Sequence, residues 1–277
     1  MSVAEFTIVA FAVSIAAGFL GSLTGLGGGV VVIPALVLLL GVDMKYAIGA
    51  SLISVIATSC GAAASFVRDG LANIRVGMAL EIGTVAGALV GASLAHNLPS
   101  NGLSILFGAI VILVVASSAQ KKSAGERLSS PQPHWVNRLH LDGSYQEGSQ
   151  PISYQVRHLP GGLAMMGVAG LVAGLLGIGA GTFKVIALDR IMGLPLKVST
   201  ATSNFMIGVT AAASAGIYLN HGYLDPGVAF PVMLGVLTGA FAGARLLPGA
   251  KPTVLRWICN AVLLVAGLQM IYQGIIR

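Results

Sequence analysis

Charge is scarce in this sequence. Its 277 residues include 15 Lys and Arg and 9 Asp and Glu, so only 9% are charged. A soluble domain is usually about 25% charged. Cysteine is nearly absent too: Cys60 and Cys259 both lie in apolar runs, which excludes a disulfide scaffold and marks them as small packing residues. The N-terminal apolar run has no basic stretch before it and continues past Gly18, so it is a membrane segment and not a cleaved signal peptide. What is plentiful is apolar surface: 56% of residues are hydrophobic, mean hydropathy is +0.89, and 38 are glycine. A soluble fold of this length could not bury so much. The composition points to an all-α polytopic membrane protein whose glycines serve close helix packing or helix breaks. In such a protein the net charge of +6 sets orientation and implies no nucleic-acid partner.

Residues 6–42 carry no charged side chain. Further apolar stretches fall at about 47–67, 76–95, 102–120, 159–183, 185–194, 198–219, 227–247 and 254–276. Residues 121–158 are polar and contain Pro, Gly and Ser, as expected of a solvated cytoplasmic loop. The chain thus divides into a first membrane repeat at 1–120, the loop at 121–158 and a second repeat at 159–277. The first run has 37 residues and as one helix would span about 55 Å, against a hydrocarbon core of about 30 Å. It must break, and Gly21 to Gly29, with five glycines in nine residues, is the place. Backbone exposed at that depth is tolerated only inside protein or beside a watery cavity.

The two halves match without gaps at an offset of 152 residues: Gly18, Gly25, Gly27 and Gly29 fall on Gly170, Gly177, Gly179 and Gly181. Lys45, Ser51, Thr58 and Gly70 fall on Lys197, Ser203, Thr210 and Gly222, and Gly83, Gly87 and Gly91 on Gly235, Gly239 and Gly243. Duplicated halves with matching broken helices are a transporter pattern, with the substrate site between the halves. With 121–158 inside, segments that each cross once leave eight basic residues inside and six outside. If each broken segment enters and returns, twelve lie inside and only Lys45 and Arg277 outside. The positive-inside rule favours the second arrangement, two inverted helical repeats with both termini periplasmic.

Two glycine runs, Thr24, Gly25, Gly27, Gly28 and Gly29 in one half and Gly179, Gly181 and Thr182 in the other, each precede an apolar helix. A helix start offers free N–H groups and about half a positive charge, and glycine lets an anion approach them. Close helix packing is the competing use of these glycines. Neither run has Walker spacing. Ser51 and the donors Thr202, Ser203 and Asn204 suit an oxyanion, or else stitch helices together. Lys184 lies inside an apolar stretch and can neutralise an anion, with a bridge to Asp189 as the structural alternative. Glu81, replaced by Met233 in the other half, is a candidate for a coupling proton or for a pair with Arg75 or Lys184. His96 and His221 fall near segment ends, where a solvated histidine is the simpler reading. The loop histidines lack metal-ligand spacing, so no metal and no cofactor is expected.

The run Gly18-Phe19-Leu20-Gly21-Ser22-Leu23-Thr24-Gly25-Leu26-Gly27-Gly28-Gly29, with Pro34, Leu36 and Ala50-Ser51, resembles the sulfite exporter TauE/SafE family. The recurrence at Gly170 to Gly181 supports the likeness, which covers the chain apart from 121–158. The second run departs from the pattern: Ala180 replaces a glycine and Ile186 stands where the first half has Pro34. The resemblance implies a secondary transporter in a bacterial-type inner membrane. Its partners would be the lipid bilayer and a small anion such as sulfite, a sulfonate or a related sulfur compound. The alternatives are a passive anion channel, or a carrier of small carboxylates or of a metal cation; the last would need facing carboxylates, His or Cys that the segments lack. No nucleophile with a base appears at plausible depth, so an enzyme is not expected.

Overall fold

The computed structural model describes residues 3–24, 28–119, 141–147, 150–246 and 252–276. Helix α1 (Val3–Thr24) is followed by α2 (Gly29–Pro34), which runs on into a wider π-helical turn at Ala35–Leu39. Then come α3 (Met44–Arg68), α4 (Ile74–Asn97) and α5 (Ser100–Ala119). A hairpin of β1 (Gly143–Glu147) and β2 (Gln150–Tyr154) precedes α6 (Leu159–Leu176). Helix α7 (Gly181–Ile186) again runs into a π-helical turn, at Ala187–Ile191, before α8 (Leu196–Asn220), α9 (Pro226–Leu246) and α10 (Pro252–Ile276). Five of these helices are long and apolar enough to cross a membrane among the described residues. Large apolar side chains point outward along them, including Ile8, Ile82, Leu113 and Val168. A soluble monomer would bury such faces; lipid covers them here.

The helix ends follow local chemistry. Gly41 and Gly193 close the two π-helical turns at φ +66° and +73°, a conformation glycine adopts at little cost. Asn73 caps α4 by accepting a hydrogen bond from the Val76 N–H at 3.1 Å. Pro34 lacks an N–H and would by itself explain a widened turn. Yet Ile186 occupies the corresponding place and the same π-helical turn follows it, so the proline is not its cause. The boundaries themselves recur 152 positions apart: Gly29–Pro34 becomes Gly181–Ile186, Ala35–Leu39 becomes Ala187–Ile191, and Met44–Arg68 becomes Leu196–Asn220.

Packing is exchanged between the halves. Helix α1 lies on α9 and α4 lies on α6. In the second seam the Gly87 Cα faces the Gly167 carbonyl and Gly91 faces that of Leu171. Both sequences ascend together, so α4 and α6 run parallel. In the first seam Gly235 faces Phe11 and Gly239 faces Ile15, again in parallel. By contrast, Gly108 of α5 faces Gly267 of α10 and Asn101 faces Gly274, so these two run antiparallel. Gly161 lies beside Ile191 and Gly162 beside Met192. Helix α6 therefore leaves one face of the bundle, and α7 returns the chain to that same face.

That face also carries the hairpin. Within the loop expected at 121–158, Gly143–Glu147 and Gln150–Tyr154 form paired strands instead of irregular backbone. The reason is apolar anchoring: Leu141, Tyr145 and Val156 pack with Val76, Leu80 and Met192. Asn73 donates to the Leu141 carbonyl and to the Tyr154 hydroxyl, both at 3.0 Å. Burial pushes the Tyr154 phenol up, so it stays neutral in this contact. Asn73→Ala removes the α4 cap and both anchors, and is expected to lower stability by about 2 kcal/mol, read as a fall in the unfolding midpoint in detergent.

Candidate functional site

The two glycine-led helix starts meet inside the bundle. A methyl group on Gly29 would lie 2.5 Å from the Ser51 hydroxyl and 2.9 Å from the Gly177 carbonyl. Ser51 donates to that carbonyl at 2.9 Å, and Ser203 donates to the Gly181 carbonyl at 3.3 Å. Val30 of α2, Ala180 to Phe183 of the second start, and Val111 and Val114 of α5 enclose a cavity of about 10 Å³. That is room for about one water, so the conformation is closed around this point. Gly25 and Gly27 lie outside the described residues, as does the side chain of Thr24. Gly28 is buried against the Val236 side chain.

The second turn is built from left-handed residues. Gly177, Gly179 and Ala180 have φ +66°, +67° and +47°. Alanine in this region costs roughly 1 kcal/mol relative to glycine. Ala180→Gly is therefore expected to raise the stability of the detergent-solubilised protein by about that amount; an unchanged or lower midpoint would contradict the strain.

Lys184 is fully buried, and its Nζ donates to the Thr210 hydroxyl at 2.5 Å. Thr210 in turn donates to Glu81 Oε1 at 2.6 Å, and the Met206 carbonyl is its alternative acceptor at 2.8 Å. Glu81 Oε2 is buried with no hydrogen-bond partner. Thus Glu81, from α4, joins Lys184 and Thr210, from α7 and α8, through a threonine and not by a direct ion pair. Asp189 and Arg75 are not the partners of this pair. Thr202 and Asn204 sit apart from it: Thr202 accepts from the Asn73 N–H at 3.0 Å, and Asn204 donates to Thr200 on its own helix at 3.0 Å. Thr182 lines the cavity.

Sequence reasoning missed the use of Thr210, whose only signal was its match to Thr58. It also missed a cluster on the opposite face. There His96 and His221 are exposed, as expected, but their rings stack at 3.9 Å, and His96 Nδ1 lies 3.1 Å from the Tyr223 hydroxyl. Lys45 donates to the His96 carbonyl at 2.8 Å.

The comparisons with known proteins agree with this architecture. The family described as sulfite exporter TauE/SafE matches residues 10–270, so the chain belongs to that family. A probable membrane transporter protein of Bacillus subtilis, YunE, is 28% identical across 97% of this chain and 98% of its own length. A second from the same organism, YdhB, is 26% identical over 96% of this chain and 98% of its own. An archaeal relative from Methanocaldococcus jannaschii, probable membrane transporter protein MJ0441, is 26% identical over 92% and 91%. No solved structure matches the chain. The relatives are membrane transporters by name, not enzymes.

Proposed function

We propose that this membrane transporter of the TauE/SafE family carries a small oxyanion, sulfur-containing in the first instance, by alternating access between two inverted halves. The observation that carries the reading is the meeting of the Gly29 and Gly181 helix starts inside the bundle, with Ser51, Ser203 and Lys184 beside them. Two sets of helix-start N–H groups and a buried cation are the chemistry an anion needs when it leaves water. In this reading Gly25, Gly27, Gly28, Gly29, Gly179 and Gly181 line the anion's path. Thr24, Thr182, Thr202 and Asn204 join as donors when the halves move, and Glu81 serves coupling. The antiparallel α5 and α10, at corresponding places in the two halves, support inversion, and the recurrence of boundaries supports the duplication. The positive-inside count then puts the hairpin face in the cytoplasm and Lys45 in the periplasm. A single-cysteine variant at Ser100, made without Cys60 and Cys259, is expected to react with an impermeant maleimide in intact cells. One at Ser144 should react only after permeabilisation, and the reverse pattern would overturn the orientation.

The deciding experiment is uptake of labelled sulfite, thiosulfate and a monosulfonate into proteoliposomes, with and without a pH gradient or potential. Saturable flux of one anion, competed by its relatives, supports the carrier. A flux that never saturates would favour the channel, and no flux of any of the three would remove the sulfur anion and turn the search to carboxylates. Gly28→Leu, which drives a side chain into Val236, is expected to stop flux.

A further inference from the structure

Resting on the anion-transport reading, the Lys184–Thr210–Glu81 chain specifies how transport is coupled. We propose that Glu81 and the transported anion are alternative partners of Lys184, so that each anion enters with one proton, and that Thr210 is the positioning residue that serves both states. The first argument is charge. Lys184 is wholly buried and Glu81 is 8% exposed, so an ammonium and a carboxylate together leave the region neutral. An anion added beside them would leave one uncompensated negative charge in a medium where that is costly. A proton passed from hydronium to the Glu81 carboxylate restores neutrality: one O–H bond breaks in hydronium as one forms on the acid, and the transfer reverses on release.

The second argument is geometry. Thr210 has one hydroxyl hydrogen and two acceptors in reach, Glu81 Oε1 at 2.6 Å and the Met206 carbonyl at 2.8 Å. With Glu81 ionised, the hydrogen faces the carboxylate. With Glu81 protonated, the acid donates to Thr210 and the threonine hydrogen turns to Met206. Neither state strands a polar hydrogen, and the Lys184 bond to Thr210 fits both. The buried Oε2 has no donor to stabilise a charge on it, so taking the proton on Oε1 removes a carboxylate charge that is only half supported.

Around the pair, helix α6 contributes no ionisable side chain, Lys45, Arg68 and Lys197 lie in the end turns of α3 and α8, Arg75 lies in the first turn of α4, and Asp189 and Arg190 lie in the π-helical turn after α7. Lys184 is the charged group that acts on Glu81. The corresponding places in the other half hold Val32, Met233 and Thr58, and Thr58 bonds its own helix. Among the described residues there is therefore one such site, and it bridges the two halves.

The test uses the full-length protein in liposomes that enclose a pH dye. The probes are a labelled monosulfonate and thiosulfate, both fully ionised at neutral pH, so a proton that arrives with either comes through the protein. Wild type should acidify the lumen in step with label, one proton per monosulfonate. Glu81→Gln should lose proton entry together with the part of anion flux that a pH gradient drives. Thr210→Val should lower coupled flux about tenfold, and Thr210→Ser should restore it to within about threefold. Anion flux in wild type without proton entry, or unchanged coupling in Glu81→Gln, overturns this inference and leaves the carrier standing. No flux of either probe in wild type overturns the sulfur-anion reading and this inference with it.

Discussion

Lys184→Ala is expected to abolish transport and to cost about 3–5 kcal/mol of stability, because it leaves Glu81 as an uncompensated buried charge. The lysine is fully buried and the glutamate nearly so, so solvent does little to screen the loss. The double variant Lys184→Met with Glu81→Leu removes both charges and fills similar volume. Replacing a buried pair in this way is often neutral for stability. Thermal unfolding in detergent should therefore place the double variant near wild type and the single variant well below it, while neither carries anion. A stable, transporting Lys184→Ala protein would mean that the lysine is a passive occupant of the bundle.

The second large effect lies in the helix seams. A Cβ at Gly87 would run into the Gly167 carbonyl, and one at Gly239 into that of Ile15. These obstacles are backbone, so no side-chain rotation relieves them. Gly87→Val and Gly239→Val must force the parallel helices apart, and each is expected to cost about 3 kcal/mol or more. The readout is the yield of monodisperse protein on size exclusion in detergent. Gly216 provides the contrast: a methyl group there meets nothing within 4 Å. Gly216→Ala should gain helix propensity and raise stability by up to about 1 kcal/mol. Equal behaviour of Gly87→Val and Gly216→Ala would mean that the seams are not close-packed.

Most of the fold was legible because its causes are local. The shortage of charge excluded a soluble domain. The spacing of glycines located the second helix break at Gly177 to Ala180, where three residues adopt positive φ. Helix boundaries recur at the offset of 152 residues, with Gly41 and Gly193 at matching ends although Pro34 gives way to Ile186. The charge count favoured segments that enter and return, and α6 with α7 follows such a path.

The site was legible only in part. Lys184 and Glu81 were conspicuous as lone charges in apolar stretches, but nothing local distinguished Lys184's candidate partners Asp189 and Glu81. Thr210, which joins them, is 26 residues from one and 129 from the other and resembles any hydroxyl on a membrane helix. The stacked His96 and His221 were invisible for the same reason, and so were the apolar contacts that turn part of a polar loop into a hairpin. The sequence by itself determined the membrane class and the all-α, polytopic character of the chain, because hydropathy and backbone preference act within a few residues. The tertiary structure alone decided which helices run parallel, which hydroxyls are spent on carbonyls, and that one threonine stands between two buried charges. Those outcomes depend on which surfaces meet, and in a membrane that is settled by close packing and polar pairing between segments far apart in the chain.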